Sequence, residues 1–261
     1  MIGDVCHIVL EDRILTNEDG YTHLIEVYNK LTNCEQKEVF IDFSRCVNFD
    51  ANLSAVLGAL LDEATLCGKI IWLTPPTSTG VKRCLTRNKF LKAFKVETTS
   101  QEKENFIPYT KFEPSHSQEF KKYIDDNLIA KRNFPLHTEK AGVYIRESIF
   151  EIFANASTHG NCSNIYCCGE FNNKKIPVIE MTIVDCGQTI VSNVNNFLSS
   201  KGMDTMDSIS AIRWATGNGN TTKNIPGGLG LWNLIEFIKM NSGSLQIVSG
   251  NGFIELSDGN F

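Results

Sequence analysis

Glu151-Ile-Phe-Ala-Asn155-Ala-Ser-Thr-His159 is the stretch on which the fold of this chain turns. It closes a run with helical spacing. Ile145, Ile149, Ile152, Phe153 and Ala156 fall on one stripe, which predicts a helix from about 137 to 159 with one side in a core. Glu147, Glu151, Asn155 and His159 recur at i+4 on roughly the opposite side. Asparagine is a poor choice inside a helix, so Asn155 in that row asks for a reason beyond solvation. A side-chain carbonyl can complete the oxygen shell of a phosphate-bound Mg2+. Glu151, one turn earlier, would point into the same cleft and could polarise a water or an acceptor hydroxyl. Glu147 reads as a solvated position. His159 stands at the helix end, where a cation suits the dipole, and that reading weighs as much as a phosphate contact.

Two further signals follow in order. Asn164 to Glu170 and Val178 to Val184 predict a strand pair around the polar turn Asn172-Asn-Lys-Lys175, with Ile179, Met181 and Ile183 alternating with Glu180 and Thr182. Asp185 ends that pair in Val184-Asp-Cys-Gly187. It reads as a common strand-to-turn signal, or as an acceptor for an exocyclic amine of a base. The third signal is Pro226-Gly-Gly-Leu-Gly-Leu231 leading into Trp232 to Met240. Leu231, Leu234, Ile235 and Ile238 have helical spacing, so Gly227, Gly228, Leu229 and Gly230 stand at a helix N-terminus, where free N–H groups and the dipole suit a triphosphate. No lysine follows in P-loop spacing and no strand leads directly into the glycines, so neither the P-loop nor the dinucleotide fingerprint applies. Residues 189–226, with Thr216-Gly-Asn-Gly-Asn-Thr-Thr222-Lys223, are expected to form a long lid loop. A metal-binding helix, an acid for a base edge and a glycine cradle, in that order, imply ATP with Mg2+.

With 261 residues, 42% hydrophobic and 21% charged, the chain can bury a core of one large or two ordinary domains. A net charge of −5 argues against a nucleic-acid binder that relies on a basic surface. No apolar run approaches the ~20 residues of a membrane helix. The opening Met1-Ile-Gly-Asp-Val-Cys-His7 has neither a basic start nor a sustained apolar core, and the nine cysteines form no Cys-x-x-Cys pair. A cytoplasmic protein with reduced thiols, with no nucleic acid and no membrane partner, is the expectation. Cys167 and Cys168 are adjacent in a strand and point to opposite faces.

The first half alternates signals. Val5 to Leu10 and Glu38 to Phe43 read as strands, Lys69 to Leu73 is a short apolar run before Pro75-Pro76, and Asn52 to Leu66 and 78–94 read as helices, which favours a partly parallel sheet covered by helices. Residues 96–114 turn polar and read as a connector holding one strand at Phe106 to Phe112. A helix near 116–130 opens the second half.

The motifs carry a resemblance. Glu151-x3-Asn155-Ala-x2-His159, Asp185-x-Gly187 and Gly228-Leu-Gly-Leu231 resemble the N box and two glycine boxes of the Bergerat-fold (GHKL, histidine-kinase-like) ATPase superfamily, over roughly residues 115–250. The resemblance implies that Asn155 binds Mg2+, Glu151 is the general base, Asp185 contacts adenine, and Gly187, Gly228 and Gly230 shape the pocket. Gly227, Leu229, Leu231, His159, Thr222 and Lys223 would complete the ATP site. The short lid before Gly-Gly-x-Gly-Leu resembles anti-sigma-type serine kinases more than gyrases. The chain departs in two places: Thr189 stands where the family has a second glycine, and Phe261 follows soon after Ser249-Gly-Asn-Gly, where the family usually has another strand. Val39-Phe-Ile-Asp-Phe-Ser-Arg-Cys-Val-Asn-Phe-Asp50 resembles the strand and loop of a STAS domain. In phosphorylated members a serine lies close after the aspartate. Here Asn52 stands in its place and Ser54 falls within the helix, so a docking or sensing surface is expected rather than a phospho-switch.

The expected architecture is therefore α/β: a STAS-like domain at 1–95, a linker at 96–114 and a Bergerat-fold α/β sandwich at 115–261. The expected function is a signalling serine kinase acting on a separate STAS-like regulatory protein. The alternative is a nucleotide-gated binding module without phosphotransfer, and a homodimer is one of the assemblies allowed. A histidine-kinase role ranks third, because His116 and His137 lack a dimerising helical hairpin around them.

Overall fold

The computed structural model describes residues 5–97, 105–134, 138–172, 178–222 and 230–257. It is a mixed α/β protein whose contacts divide it into two compact units. The first comprises Met1–Phe112, Tyr123–Leu136 and Asn164–Val184, the second Glu113–Lys122, His137–Ser163 and Asp185–Phe261. The units thus interleave along the chain, whereas the expected domains are sequential.

In the first unit, β1 (Cys6–Val9), β3 (Glu38–Asp42) and β5 (Ile70–Thr74) form a parallel sheet in the order β1-β3-β5. Two short strands, β2 (Arg13–Ile14) and β4 (Asn48–Phe49), pair beside it in parallel. Helix α1 (Glu18–Asn33) joins β2 to β3 and α2 (Leu53–Leu66) joins β4 to β5. Asn17 caps α1, its Oδ1 accepting from the Gly20 amide at 2.9 Å. Leu24, Val27 and Leu31 bury its inner face at helical spacing, although no helix is expected there from the reading above. Helix α2 is buried nearly all round, with Leu53, Ala55, Leu57, Ala59, Leu61 and Ala64 in the core. A helix apolar on every side needs cover on every side.

That cover includes a second sheet. β6 (Phe106–Phe112) pairs antiparallel with β7 (Ile165–Asn172), which neighbours β8 (Val178–Asp185), and α2 packs on β7 and β6. Residues 106–112 form the expected strand, with Ile107 and Phe112 buried. Cys167 and Cys168, both fully buried, fill the two faces of β7, and burial raises both thiols well above their ordinary values.

The single helix expected at 78–94 is two, α3 (Thr79–Arg87) and α4 (Phe90–Ala93). Buried Asn88 interrupts it. Its Oδ1 accepts from the Phe90 amide at 3.0 Å, its Nδ2 donates to Ser54 Oγ at 2.8 Å, and Lys89 turns left-handed at φ 66°. After β6 come α5 (Ser117–Ile124) and one π-helical turn, Asp125–Ile129.

The second unit is built around α6 (Glu139–His159). Thr138 caps it, accepting from the Ala141 amide at 3.2 Å. Phe120 of α5 stacks on Phe153 with ring centroids 4.3 Å apart. Helix α9 (Gly230–Met240) packs along α6, with Tyr144 and Phe237 rings 5.5 Å apart, and β9 (Leu245–Ser249) and β10 (Gly252–Leu256) form an antiparallel hairpin.

The lid expected as a loop at 189–226 carries two helices, α7 (Ile190–Ser200) and α8 (Ser208–Ala215), which share a small core of Val194, Leu198 and Ala211. Thr189 caps α7 by accepting from the Ser192 amide at 3.1 Å, and Asp207 caps α8 by accepting from the Ser210 amide at 3.0 Å. Among the described residues, no helix is long and apolar enough to cross a membrane.

Candidate functional site

The polar row of α6 divides as its spacing implies. Glu147 is exposed, while Glu151, Asn155 and His159 are half-buried. On the other side Phe153 and Ala156 are buried. Ile145, Ile149 and Ile152 are only half-buried, whereas Gly142 and Ser148 are buried.

Glu151 meets the start of α9. A Cβ built on Gly230 would lie 2.0 Å from Glu151 Oε1 and 2.0 Å from its carboxyl carbon. Only glycine lets the first residue of α9 approach the carboxylate so closely. The clash is with the mobile end of a side chain, so Gly230→Ala would turn Glu151 aside rather than break the fold. Leu231, the next residue, is half-buried in the same helix.

The C-terminal end of α6 meets the strand-end acid. Gly160 caps the helix, and a Cβ there would stand 2.9 Å from Asp185 Oδ1. A Cβ on Gly187 would stand 1.9 Å from the Gly160 carbonyl oxygen, to which the Gln188 amide donates. The Asp185–Gln188 turn is thus clamped onto the end of α6. Asp185 Oδ1 accepts from the Gly187 amide at 2.9 Å. Burial raises the Asp185 carboxyl above its ordinary value, and the Gly187 hydrogen bond pulls the other way. A carboxylate held in a partly dry place, with one oxygen tied by the backbone, presents its second oxygen as a directed acceptor.

A polar cleft of about 410 Å³ opens beside this turn. Thr158 and His159 of α6 and Thr222 line one part, and Asn193, Asn196 and Ser200 of α7 line another, with Phe197 among them. Asn193 Nδ2 donates to the His159 carbonyl at 3.0 Å, so α7 is tied to the end of the polar row. Asn193, Asn196 and Ser200 are site candidates that the loop assignment of 189–226 hides. Their i, i+3, i+7 spacing, opposite Ile190, Val194 and Leu198, would have revealed them as one face of a helix.

Of the candidates from sequence, the structure gathers Glu151 with Gly230, and Asp185 with Gly187 at the end of α6. His159 and Thr222 line one cleft. Lys223, Gly227, Gly228 and Leu229 lie outside the described residues. Among the described residues, no group of three or more His, Cys, Asp or Glu side chains gathers as a metal site. A Mg2+ at Asn155 would therefore draw most of its oxygen shell from phosphate and water, as that ion usually does.

Asn52 and Ser54 sit differently from an exposed acceptor loop. Asn52 is buried, accepts from Thr16 Oγ1 at 3.0 Å and donates to Thr182 Oγ1 at 3.0 Å. Ser54 is fully buried. No protein-family model, curated protein or solved structure matches this chain.

Proposed function

We propose that this protein binds ATP with Mg2+ on α6 and acts as a regulatory serine kinase of anti-sigma type on a separate STAS-like partner. The observation that carries the reading is that the start of α9 and the Asp185–Gly187 turn both seat on one polar helix: Gly230 against Glu151, and Asp185–Gly187 against Gly160. This helix would offer Asn155 to the metal and Glu151 to the attacking hydroxyl, with Asp185 as acceptor for the adenine amine. The start of α9 would offer N–H groups to phosphate. Phosphoryl transfer rests mainly on positioning and charge neutralisation, which these groups would supply. The architecture proposed is a Bergerat-like nucleotide site with a STAS-like module formed by the first parallel sheet.

Isothermal titration with ATP and Mg2+ tests the reading. Saturable binding whose Mg2+-dependent part is lost in Asn155→Ala is the expected result, and no adenine-nucleotide binding to the parent protein defeats it. Glu151→Gln should abolish transfer from labelled ATP to a STAS-like acceptor and leave ATP affinity within about threefold, since a lost base acts on the transition state alone. An equal loss of binding would make Glu151 a structural residue.

The alternative, nucleotide-gated capture without transfer, is favoured by one feature. Helices α7 and α8 carry their own small core and touch the cleft through Asn193, Asn196 and Ser200. Slowed hydrogen exchange in α7 and α8 on adding ATP, with no transfer to any acceptor, would select it.

The protein should not phosphorylate its own first half. Ser54 is fully buried with its Oγ accepting from Asn88, and Asn52 has no hydroxyl. Intact-mass measurement after incubation with ATP should show no added phosphate there, and a Ser54 phosphopeptide would restore a self-contained switch.

A further inference from the structure

Among the described residues, one face of the parallel sheet of the first unit is exposed, and its topology explains why. Strands β1, β3 and β5 follow each other in one direction across the sheet, and right-handed crossovers in one direction put both connecting helices on the same side. Ile8, Val39 and Ile41 are buried on that covered side. The opposite face carries Val9 at 41% exposure, Ile70 at 40% and Trp72 at 50%. Parallel sheets are ordinarily covered on both faces, so an apolar open face of this kind is exceptional.

The register assembles that face into a row. His7 pairs with Phe40, and Phe40 with Trp72, so one ring from each strand lies side by side. The His7 and Phe40 rings stack at 5.1 Å and 19°, the Phe40 and Trp72 rings at 6.3 Å and 24°. Glu38 and Asp42 bracket Phe40 on the central strand, two residues to either side and on the same face. Asp42 Oδ1 accepts from the Ser44 amide at 2.8 Å.

We infer that this aromatic row is a docking face for a basic amphipathic helix of a partner protein. Three arguments fix the occupant. The face is roughly 15 Å by 15 Å, from strand spacing and rise, which is well short of the ~800 Å² per partner of a stable dimer but matches one helix of about 10 Å diameter. Two carboxylates beside Phe40 repel a polyanion, and they would meet each other if a second copy of the sheet packed face to face. The same carboxylates stand roughly 13 Å apart along the strand, which cations seven or eight residues apart on a helix can span, with apolar residues between them over Phe40 and Trp72.

The test uses the full chain and a fluorescein-labelled helical peptide with leucines at i, i+3, i+4 and i+7 and lysines flanking that stripe. Its control carries glutamates in place of the lysines. Anisotropy should show saturable binding of the lysine peptide and at least about tenfold weaker binding of the control. Trp72→Ala should weaken the lysine peptide about tenfold or more, as loss of a central tryptophan anchor does. Trp72 is half exposed, so thermal unfolding of that variant should stay close to the parent. Glu38→Lys with Asp42→Lys should reverse the preference between the two peptides, a readout that a loss of packing alone would not move. The proposal is overturned by no binding of the lysine peptide, by indifference to peptide charge, or by a Trp72-dependent dimer in sedimentation. Trp72-dependent binding of single-stranded DNA would overturn it as well.

Discussion

Asp185→Asn is expected to lower ATP affinity by about tenfold to a hundredfold while leaving the empty protein at least as stable as the parent at neutral pH. The loss corresponds to the ~1.5–3 kcal/mol of a hydrogen bond to a charged group, made worse because an amide can turn a donor toward the adenine amine. The stability gain follows from burial. Burial raises the Asp185 carboxyl above its ordinary value of 3.8 in the folded chain, so the folded state holds its proton more tightly than the unfolded state does. Such a group contributes stability that is fully present below about 3.8 and is lost as pH rises through the folded value. Asparagine keeps an Oδ1 for the Gly187 amide and carries no charge to desolvate. Thermal unfolding should therefore show parent and variant alike near pH 3.5 and the variant equal or higher at pH 7, while calorimetry shows the weakened ATP site. A purely structural aspartate would behave the other way: the variant would lose stability at pH 7 and keep whatever binding the parent has. A gain in stability bought with a loss of binding is the mark of a residue kept for a ligand.

The parts of this molecule that were legible in its sequence are those whose signals are local. Short apolar runs or alternation marked β3, β5, β7 and β8, and the i, i+4, i+7 spacing marked α2, α6 and α9 to within a few residues. The split of the polar row into exposed Glu147 and half-buried Glu151, Asn155 and His159 was also legible, because a helix fixes which residues share a side. Three features were not. Glycines, asparagines and serines at 189–222 drew attention away from Ile190, Val194 and Leu198, although Thr189 and Asp207 are ordinary N-caps for the two helices there. The break at Asn88 depends on buried Ser54, which lies 34 residues earlier. The interleaving of the two units depends on α2 finding β7, and on contacts such as Asn52 to Thr182 across 130 residues, which no periodicity reports. Local pattern names an element, whereas its neighbour is decided by long-range burial.

Phe153→Ala should be the most damaging single change in the second unit, and it links stability to the site. Phe153 is fully buried, stacked on Phe120 at 4.3 Å and flanked by Phe150 at 6.2 Å. Removing the ring leaves a cavity in a core built from few large side chains, at a cost of about 3–5 kcal/mol. That is a large part of the ~5–15 kcal/mol by which domains are stable, so denaturation should show a strongly lowered midpoint for this unit. Phe153 lies two residues after Glu151 and two before Asn155, on the side of α6 that locks the helix's rotation about its axis. Loss of that lock should loosen the polar row, so ATP affinity should fall along with stability. Excess ATP should recover part of the midpoint, about 2.7 kcal/mol at a hundred times the dissociation constant, because it binds only the folded form. Phe153→Leu, which keeps much of the buried volume, should show smaller losses of both quantities in the same proportion. If Phe153→Ala lowers the midpoint as expected yet binds ATP like the parent, then the row does not depend on the core behind it. The convergence of Glu151 on Gly230 would then be a packing contact, and the case for a nucleotide on α6 would fall back on Asp185 alone.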